Sequence, residues 1–210
     1  MKITWKWMKS ALGYLFLGFV AFVVIFSMVR LSDTKIAKEY LWTDAAKQVY
    51  GQSPEDYHVY EVPLTNYFDP DGYFFALNLR YSMGGQAHDF GQFQLTVRYN
   101  DVVTNEYLGQ DFDLSAGLPE EPFVYRLADN LGNVYEPAAV LPDEKMNLNY
   151  RRLAFEGFNL SEVGQVDLEI YYAGDCGEDT LPYRTITIYK SAWPVKNYAL
   201  KKSELPDMGG

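Results

Sequence analysis

The stretch Val166-Asp-Leu-Glu-Ile-Tyr-Tyr172 alternates apolar and polar side chains, as a β-strand with one buried face does. Residues 90–99 alternate in the same way, and this brings to one face Phe93, Leu95, Val97 and Tyr99. The same pattern in residues 73–81 predicts one face formed by Phe75, Leu77, Leu79 and Tyr81. Turn signals such as Asp69-Pro-Asp-Gly72 separate about eight short strands between residues 57 and 190. We therefore predict an all-β fold, an immunoglobulin-like antiparallel β-sandwich, with a closed barrel as the alternative.

The composition agrees with a β-rich fold and disfavours one class of partner. Aromatic residues make up 17% of the chain, with 18 Tyr and 13 Phe, and both residue types favour strands. Four of the 18 basic residues lie at or before Arg30, whereas no acidic residue precedes Asp33. The chain after Arg30 therefore carries 14 basic and 28 acidic side chains, a net charge of −14. Because such a domain repels nucleic acid, we expect no nucleic-acid partner.

Residues 10–29 carry no charge and are apolar on every side of a helix. These 20 residues, at a rise of about 1.5 Å each, reach about 30 Å, the thickness of the hydrocarbon core of a bilayer. We predict a transmembrane helix over residues 10–30, with the lipid bilayer as the partner of residues 10–29. Its expected interfacial aromatics and flanking charges are Trp5, Trp7, Lys9 and Arg30.

The apolar run is longer than that of a cleavable signal peptide and ends without an Ala-x-Ala site or a lipoprotein cysteine, which favours an uncleaved signal-anchor. The positive charges on its two sides nearly balance: Lys2, Lys6 and Lys9 precede it, and Arg30, Lys35, Lys38 and Lys47 follow it. A short basic leader is typical of a secretory start, and long domains translocate largely regardless of charge. We therefore expect a single-pass protein of the cell membrane, with its N-terminus cytoplasmic and its C-terminal domain outside.

The patterns divide the chain into five regions. A cytoplasmic leader over 1–9 and the transmembrane helix over 10–30 precede a stalk helix over 31–52, a β-sandwich domain over 53–192 and a polar C-terminal tail over 193–210. The stalk helix is predicted from an apolar stripe at three- and four-residue spacing, formed by Ile36, Tyr40, Leu41, Ala45 and Val49. Its charges are mixed, which favours packing on its own domain over a place on the membrane surface.

Few residues offer catalytic chemistry. His58 and His88 lack the spacing of a zinc motif, and the sequence contains neither a nucleophile elbow nor a phosphate-binding glycine loop. Cys176 is the single cysteine, so it is either unpaired in a turn or bridges two chains. A thiol pair of Cys176 with His58 or His88 is the catalytic alternative. We predict that the protein is not an enzyme and has no catalytic residue.

Two acidic loops are the candidates for a metal site, since calcium takes oxygen ligands from loop carboxylates. One contains Asp69 and Asp71, and the other contains Asp175, Glu178 and Asp179. The same residues are also ordinary turn and loop residues. We therefore expect no cofactor, with calcium as the alternative.

Tyrosines on strand faces are the candidates for a binding surface. Four of them, if exposed, would stack on sugars or grip a protein partner: Tyr73, Tyr99, Tyr107 and Tyr171. The competing interpretation places them in the packed interior or at half-buried strand positions, and we favour it.

The run Tyr125-Arg-Leu-Ala-Asp-Asn-Leu-Gly-Asn-Val-Tyr135, followed by Leu153-Ala-Phe155, resembles the membrane-tethered immunoglobulin-like domains of unknown function on Gram-positive bacteria. Those domains show a strand, an Asp-x-x-Gly-x-x-Tyr turn and then a strand with a phenylalanine. The resemblance covers about a third of the chain and implies a fold and an extracytoplasmic location, with no catalytic residue to carry over.

These observations favour a membrane-anchored extracytoplasmic domain that acts by binding, as an accessory subunit with a protein partner at the cell envelope. A carbohydrate- or cell-wall-binding module is the first alternative, and it depends on the exposed tyrosines. An envelope hydrolase with an unrecognised site is the second alternative.

Overall fold

The computed structural model of the chain describes residues 5–33, 38–62, 66–85, 90–100, 102–103, 121–145, 148–159, 163–174, 180–189 and 196–206. Within them the helices are α1 (Trp5–Asp33) and α2 (Asp44–Gln52), with 3₁₀ turns at Pro54–Asp56 and Lys202–Glu204. The strands are β1 (His58–Glu61), β2 (Tyr67–Phe68), β3 (Phe75–Gly84), β4 (Phe90–Asn100), β5 (Phe123–Asp129), β6 (Val134–Tyr135), β7 (Pro137–Glu144), β8 (Leu148–Glu156), β9 (Gln165–Tyr172), β10 (Arg184–Tyr189) and β11 (Lys196–Asn197).

The strands form two antiparallel sheets, which confirms the predicted mostly-β architecture. The seven-stranded sheet has the order β11-β1-β3-β4-β8-β7, with β2 also paired to β3, and the four-stranded sheet has the order β10-β9-β5-β6. Both sheets contribute to one hydrophobic core, through β3, β4 and β8 on one side and β5, β9 and β10 on the other. The described strands thus belong to two separate ladders and do not join into one closed barrel.

Strict alternation predicted the core faces of β4 and β9 correctly. Four side chains of β4 enter the core, namely Phe93, Leu95, Val97 and Tyr99, and β9 contributes Val166, Leu168 and Ile170. Successive side chains of a strand point to opposite faces, so a regular strand has the faces that its sequence pattern indicates.

The predicted face of β3 is wrong in its first half, because the strand contains a β-bulge. Leu77 lies opposite Thr96 and Arg80 opposite Gln94, so that two residues of β3 face one residue of β4. Asn78 takes a positive φ of 51° at this bulge, a conformation that asparagine tolerates better than most residues. The extra residue reverses the alternation. Leu79 and Tyr81 therefore enter the core, whereas Phe75 and Leu77 lie on the other face.

Helix α1 contains the apolar stretch Ser10–Val29, and none of that stretch is buried against the rest of the chain. Its length and composition are those that membrane anchors and signal sequences share. The predicted membrane-flanking residues Trp5, Trp7, Lys9 and Arg30 belong to the same helix, and their side chains lie outside the described part of the structure.

The predicted stalk helix over 31–52 is too long. Helix α1 ends at Asp33, and the next helix, α2, begins at Asp44, while residues 38–43 are not helical. Thr43 caps α2, since its Oγ1 accepts a hydrogen bond from the Ala46 N–H at 3.2 Å. The apolar side chains of Tyr40 and Leu41 are buried from a non-helical backbone, so their spacing matched a helix by coincidence.

The predicted polar tail over 193–210 is also corrected, because residues 196–206 pack on the domain. Strand β11 pairs with β1, with Asn197 opposite Tyr60, and the Tyr198 N–H donates to the Val59 carbonyl at 2.7 Å. Glu204 is only 5% exposed. Two apolar side chains, Tyr198 and Leu200, pack into a small cluster beside α2, and this contact outweighs the polar composition of the segment.

Candidate functional site

Part of the outer face of the seven-stranded sheet, opposite the core, is polar and yet buried. Five of its side chains are at most 6% exposed, namely Arg80, Ser82, Gln92, Gln94 and Thr96. Residues 38–43 cover this face together with α2 and the C-terminal segment (residues 196–206). We call residues 38–43 the juxtamembrane segment, because they follow the candidate membrane span in α1. Burying a polar group without a hydrogen bond is costly, so each of these side chains needs a partner.

The side-chain amides of β4 hold the juxtamembrane segment in place. The Leu41 N–H donates to Gln94 Oε1 at 3.1 Å, and Gln92 Nε2 donates to the Leu41 carbonyl at 2.9 Å. Thr43 Oγ1 donates to Gln92 Oε1 at 2.8 Å. Two glutamines thus take the place of a neighbouring strand and satisfy the backbone of a segment that is not itself in the sheet.

A small hydroxyl network lies beside these amides. The Tyr40 hydroxyl donates to Ser82 Oγ at 2.6 Å, and Tyr57 lies within hydrogen-bond distance of both, at 2.7 Å from Tyr40 and 3.2 Å from Ser82. Burial raises the pKa of Tyr57 to about 12 and also raises the pKa of Tyr40. Both phenols therefore stay protonated at neutral pH and serve as fixed hydrogen-bonding groups, not as general bases.

The C-terminal segment closes over the same region through Glu204. Trp42 Nε1 donates to the Glu204 carbonyl at 2.6 Å, and the Glu204 carboxylate accepts from the Tyr198 hydroxyl at 2.7 Å and from the Lys201 N–H at 3.0 Å. Burial opposes ionisation of Glu204, but these hydrogen bonds outweigh it and lower its pKa. Burial and the neighbouring carboxylate raise the pKa of Tyr198 to about 12. Segments from both ends of the folded domain therefore meet on one sheet face.

A cleft opens between the juxtamembrane segment and the sheet, with room for about one water molecule. We call it the donor cleft. The sheet supplies Asn78, Arg80, Gln94, Thr96 and Arg152 to its walls, and the juxtamembrane segment supplies Lys38 and Glu39. Two of these contacts follow from strand register, because Arg80 lies opposite Gln94 and Thr96 lies opposite Arg152.

Four nitrogen donors in the walls of the donor cleft are buried and have no hydrogen-bond acceptor among the described residues. They are Asn78 Nδ2, Arg80 Nε, Gln94 Nε2 and Arg152 Nε. The Gln94 amide cannot turn to relieve its nitrogen without losing the hydrogen bond that its oxygen accepts from Leu41. Each unsatisfied buried donor costs about 1–3 kcal/mol. Four such donors in one cleft therefore indicate that a hydrogen-bond acceptor is missing there.

Arg80 is a buried cation in the wall of the donor cleft. Its side chain is buried, and its guanidinium lies 4.1 Å from the centre of the Tyr198 ring. Among the described residues no carboxylate lies within ion-pair distance of it, although Glu61 lies opposite Arg80 in the register of β1 and β3 and the field of Arg80 contributes to the lowered pKa of Glu204. A buried positive charge without a bonded anion is unfavourable, so this side chain marks the cleft as a site for negative charge.

The first predicted calcium loop already holds a positive charge. Arg184 Nη2 lies 3.1 Å from Asp71 Oδ2, and Arg184 Nε lies 3.5 Å from Asp69 Oδ2. Asp69 Oδ1 also accepts the Phe74 N–H at 2.7 Å, which closes the turn. In the described residues no group of three or more His, Cys, Asp or Glu side chains is placed to hold a metal ion. The second loop, Asp175, Glu178 and Asp179, lies outside the described residues.

Those candidate tyrosines that the structure describes do not form an exposed platform. Tyr99 is 1% exposed in the core, and Tyr171 is 5% exposed, with its hydroxyl donating to Glu169 Oε2 at 2.7 Å. Tyr73 is half-buried near the guanidinium of Arg184. Tyr107 lies outside the described residues. The three described tyrosines therefore fit the interior interpretation.

The other candidates from the sequence do not come together in the described structure. His58 is exposed on β1, whereas His88 and Cys176 lie outside the described residues. The sequence patterns above do not predict the donor cleft, and the feature that could have indicated it is the type of polar residue on β4. Gln92, Gln94 and Thr96 are uncharged, and a solvent-facing strand face usually carries charges.

Comparison of the chain with protein-family models, with curated proteins and with solved structures gave no match.

Proposed function

We propose that the protein is a single-pass membrane-anchored domain that acts by binding, outside the cytoplasm, as an accessory subunit at the cell envelope. One observation carries the proposal. None of the stretch Ser10–Val29 is buried among the described residues, whereas residues 38–43 are hydrogen-bonded to the outer sheet face. An apolar surface of this size needs a nonaqueous environment, and the fixed juxtamembrane segment would join the domain firmly to it.

The chemistry of the outer sheet face supports binding over catalysis. Tyr40, Tyr57 and Tyr198 have raised pKa values, and the carboxylate of Glu204 has a lowered one. A general acid or base works best with a pKa near the ambient pH, and these shifts move the groups away from it. Their hydrogen bonds instead hold two chain segments on the sheet, which suits a rigid surface for recognition.

An immunoglobulin-like sandwich of the Gram-positive membrane-tethered type is the finer form of this proposal. Two antiparallel sheets sharing one core support it. The turn that carries the resemblance is closed by Asp129, whose carboxylate accepts from the Leu131 and Asn133 N–H groups and from the Tyr135 hydroxyl, each at 2.9 Å. The spacing of this motif therefore has a structural cause.

The proposed topology is tested with introduced cysteines in a Cys176→Ser background. Leu181→Cys places a thiol at a side chain that is 86% exposed, and Lys2→Cys places one in the leader. In intact cells an impermeant maleimide should label position 181 and leave position 2 unlabelled, and both should react after permeabilisation. Labelling of position 2 alone in intact cells would contradict the proposed orientation.

The binding role is tested by affinity purification of the full chain from native membranes after mild crosslinking. We expect one envelope protein to be recovered in constant ratio to the chain. The matched control is the chain with residues 1–33 replaced by an unrelated anchor, which separates partners of the domain from proteins that merely share the membrane. Repeated recovery of the chain alone would refute the proposed accessory role.

A further inference from the structure

The donor cleft has an excess of positive charge in a chain that is otherwise acidic. Lys38, Arg80 and Arg152 line it, and Glu39 is the acidic residue in its described walls. Glu39 is partly engaged already, because its carbonyl accepts from Arg152 Nη1 at 3.3 Å and its carboxylate lies 3.8 Å from the same nitrogen. The part of the chain after Arg30 has a net charge of −14, so a local basic site is not a consequence of composition.

A single water molecule does not complete this arrangement. Four unsatisfied nitrogens, Asn78 Nδ2, Arg80 Nε, Gln94 Nε2 and Arg152 Nε, are donors. Water accepts about two hydrogen bonds through its lone pairs, so roughly half of the donors would stay unpaired. A phosphate oxygen has three lone pairs and carries negative charge, so it accepts about one hydrogen bond more than water does and also attracts the guanidinium groups.

We propose that the donor cleft binds a phosphate oxyanion, with one oxygen inserted between the juxtamembrane segment and the sheet. Arg80 and Arg152 contribute charge-assisted hydrogen bonds to that oxygen, and one of the two amides, Asn78 or Gln94, contributes a neutral one. Arginine is suited to this task because its planar fork of donors matches phosphate geometry. The remaining phosphate oxygens lie at the mouth of the cleft, near Lys38.

Two sources share this chemistry, namely a phospholipid headgroup and free phosphate. Residues 30–33 continue α1, and residues 34–38 reach at most about 18 Å when fully extended. Lys38 therefore lies within about 24 Å of the end of the apolar stretch, and the headgroup layer extends several ångströms from that end. The headgroup source rests on the proposed membrane anchor, whereas the binding chemistry of the cleft does not.

The test uses the full chain in dodecyl maltoside, a detergent without phosphate, and follows the arginine Nε–Hε resonances by NMR. Sodium phosphate is added at constant ionic strength. We expect saturable shifts of the Arg80 and Arg152 resonances and no shift of Arg98, which lies on the same sheet face with its guanidinium over the Phe75 ring. The proposal would be overturned if the Arg80 and Arg152 resonances shift neither with phosphate in dodecyl maltoside nor in the phospholipid nanodiscs described below.

Two matched variants separate a specific site from general charge. Arg152→Gln removes a donor and a charge from the cleft and should weaken phosphate binding about tenfold, since a charged hydrogen bond contributes about that factor. Arg98→Gln removes the same charge outside the cleft and should leave the affinity unchanged. Equal weakening by both variants would overturn the proposal. Circular dichroism spectra and melting curves that match those of the parent chain establish that each variant is folded.

The source is identified by moving the chain into phosphatidylglycerol nanodiscs without free phosphate. Shifted Arg80 and Arg152 resonances that no longer respond to added phosphate indicate a lipid headgroup. Unshifted resonances that still respond to added phosphate indicate a free ligand. The experiment needs no envelope partner, so its outcome is independent of the affinity purification that tests the proposed function.

Discussion

The substitution Gln92→Met tests whether side-chain amides fix the juxtamembrane segment. Gln92 makes three hydrogen bonds to it, one with Thr43 Oγ1, one with the Leu41 carbonyl and one with the Tyr40 hydroxyl. Methionine keeps the length of the side chain and removes all three. At about 1 kcal/mol net for each hydrogen bond, we expect a loss of about 3 kcal/mol in the free energy of unfolding, or about 6–12 °C in Tm for a domain of this size.

Urea denaturation of the full chain in detergent measures the loss, and hydrogen exchange localises it. The Leu41 N–H, which donates to Gln94, should exchange faster in Gln92→Met, while amides of β9 should change only with global stability. The matched control is Gln165→Met in the other sheet. Among the described residues, the side-chain amide of Gln165 donates to Asp167 alone. We expect less than about 0.5 kcal/mol there. Equal losses in both variants would refute the reasoning.

Two further perturbations test other contacts on the same domain. The lowered pKa of Glu204 implies stability that is present above its ordinary pKa of 4.5 and is lost as pH falls towards the lower, folded value. The indole N–H resonance of Trp42 should therefore shift on acidification, and Glu204→Gln should abolish that dependence. In Gly91→Ala a Cβ would meet the Phe158 carbonyl oxygen at 1.8 Å, so we expect about 2–3 kcal/mol of destabilisation by urea denaturation. Gly164→Ala is its control and should cost less than about 1 kcal/mol, because its nearest neighbour is 3.8 Å away; a similar cost at both positions would contradict the close approach at Gly91.

The sequence predicts regular strands well and irregular ones poorly, for a physical reason. In β4 the period of two is unbroken, so the apolar positions and the core face coincide. In β3 a single bulge at Asn78 reverses the alternation, and apolar side chains stand on both faces of the strand. No local signal distinguishes the two strands, because asparagine is also common in ordinary turns and strand ends. β7 contains Pro137 and Pro142, which are unfavourable in a central strand but are tolerated in an edge strand such as this one.

The segments that pack on the outer sheet face were harder to predict, because their contacts are distant in sequence. Leu41 and Gln94 are 53 residues apart, and Trp42 and Glu204 are 162 residues apart. Local periodicity around Tyr40 suggested a helix, and the polar composition of residues 193–210 suggested a tail, but tertiary contacts override these preferences in residues 38–43 and 196–206. The donor cleft needs the bulge, the strand register and the juxtamembrane segment together, and residue types alone specify none of these.

The position of the donor cleft couples docking of the juxtamembrane segment to the binding of any ligand that enters the cleft. Lys38 and Glu39 form one wall, and the sheet forms the other, so the complete cleft exists only while the juxtamembrane segment is bound to the sheet. A ligand that needs both walls binds the docked state more tightly than the detached state, and it therefore stabilises docking by the same free energy with which docking favours binding. Gln94 lies at the centre of this linkage, because its oxygen accepts from the Leu41 N–H while its nitrogen lines the cleft. Gln92→Met weakens docking of the juxtamembrane segment, and Arg152→Gln weakens binding of the ligand, so the two variants act on coupled steps. Weakening the segment should lower phosphate affinity even though Gln92 does not line the cleft, and unchanged affinity in that variant would show that the two walls are independent.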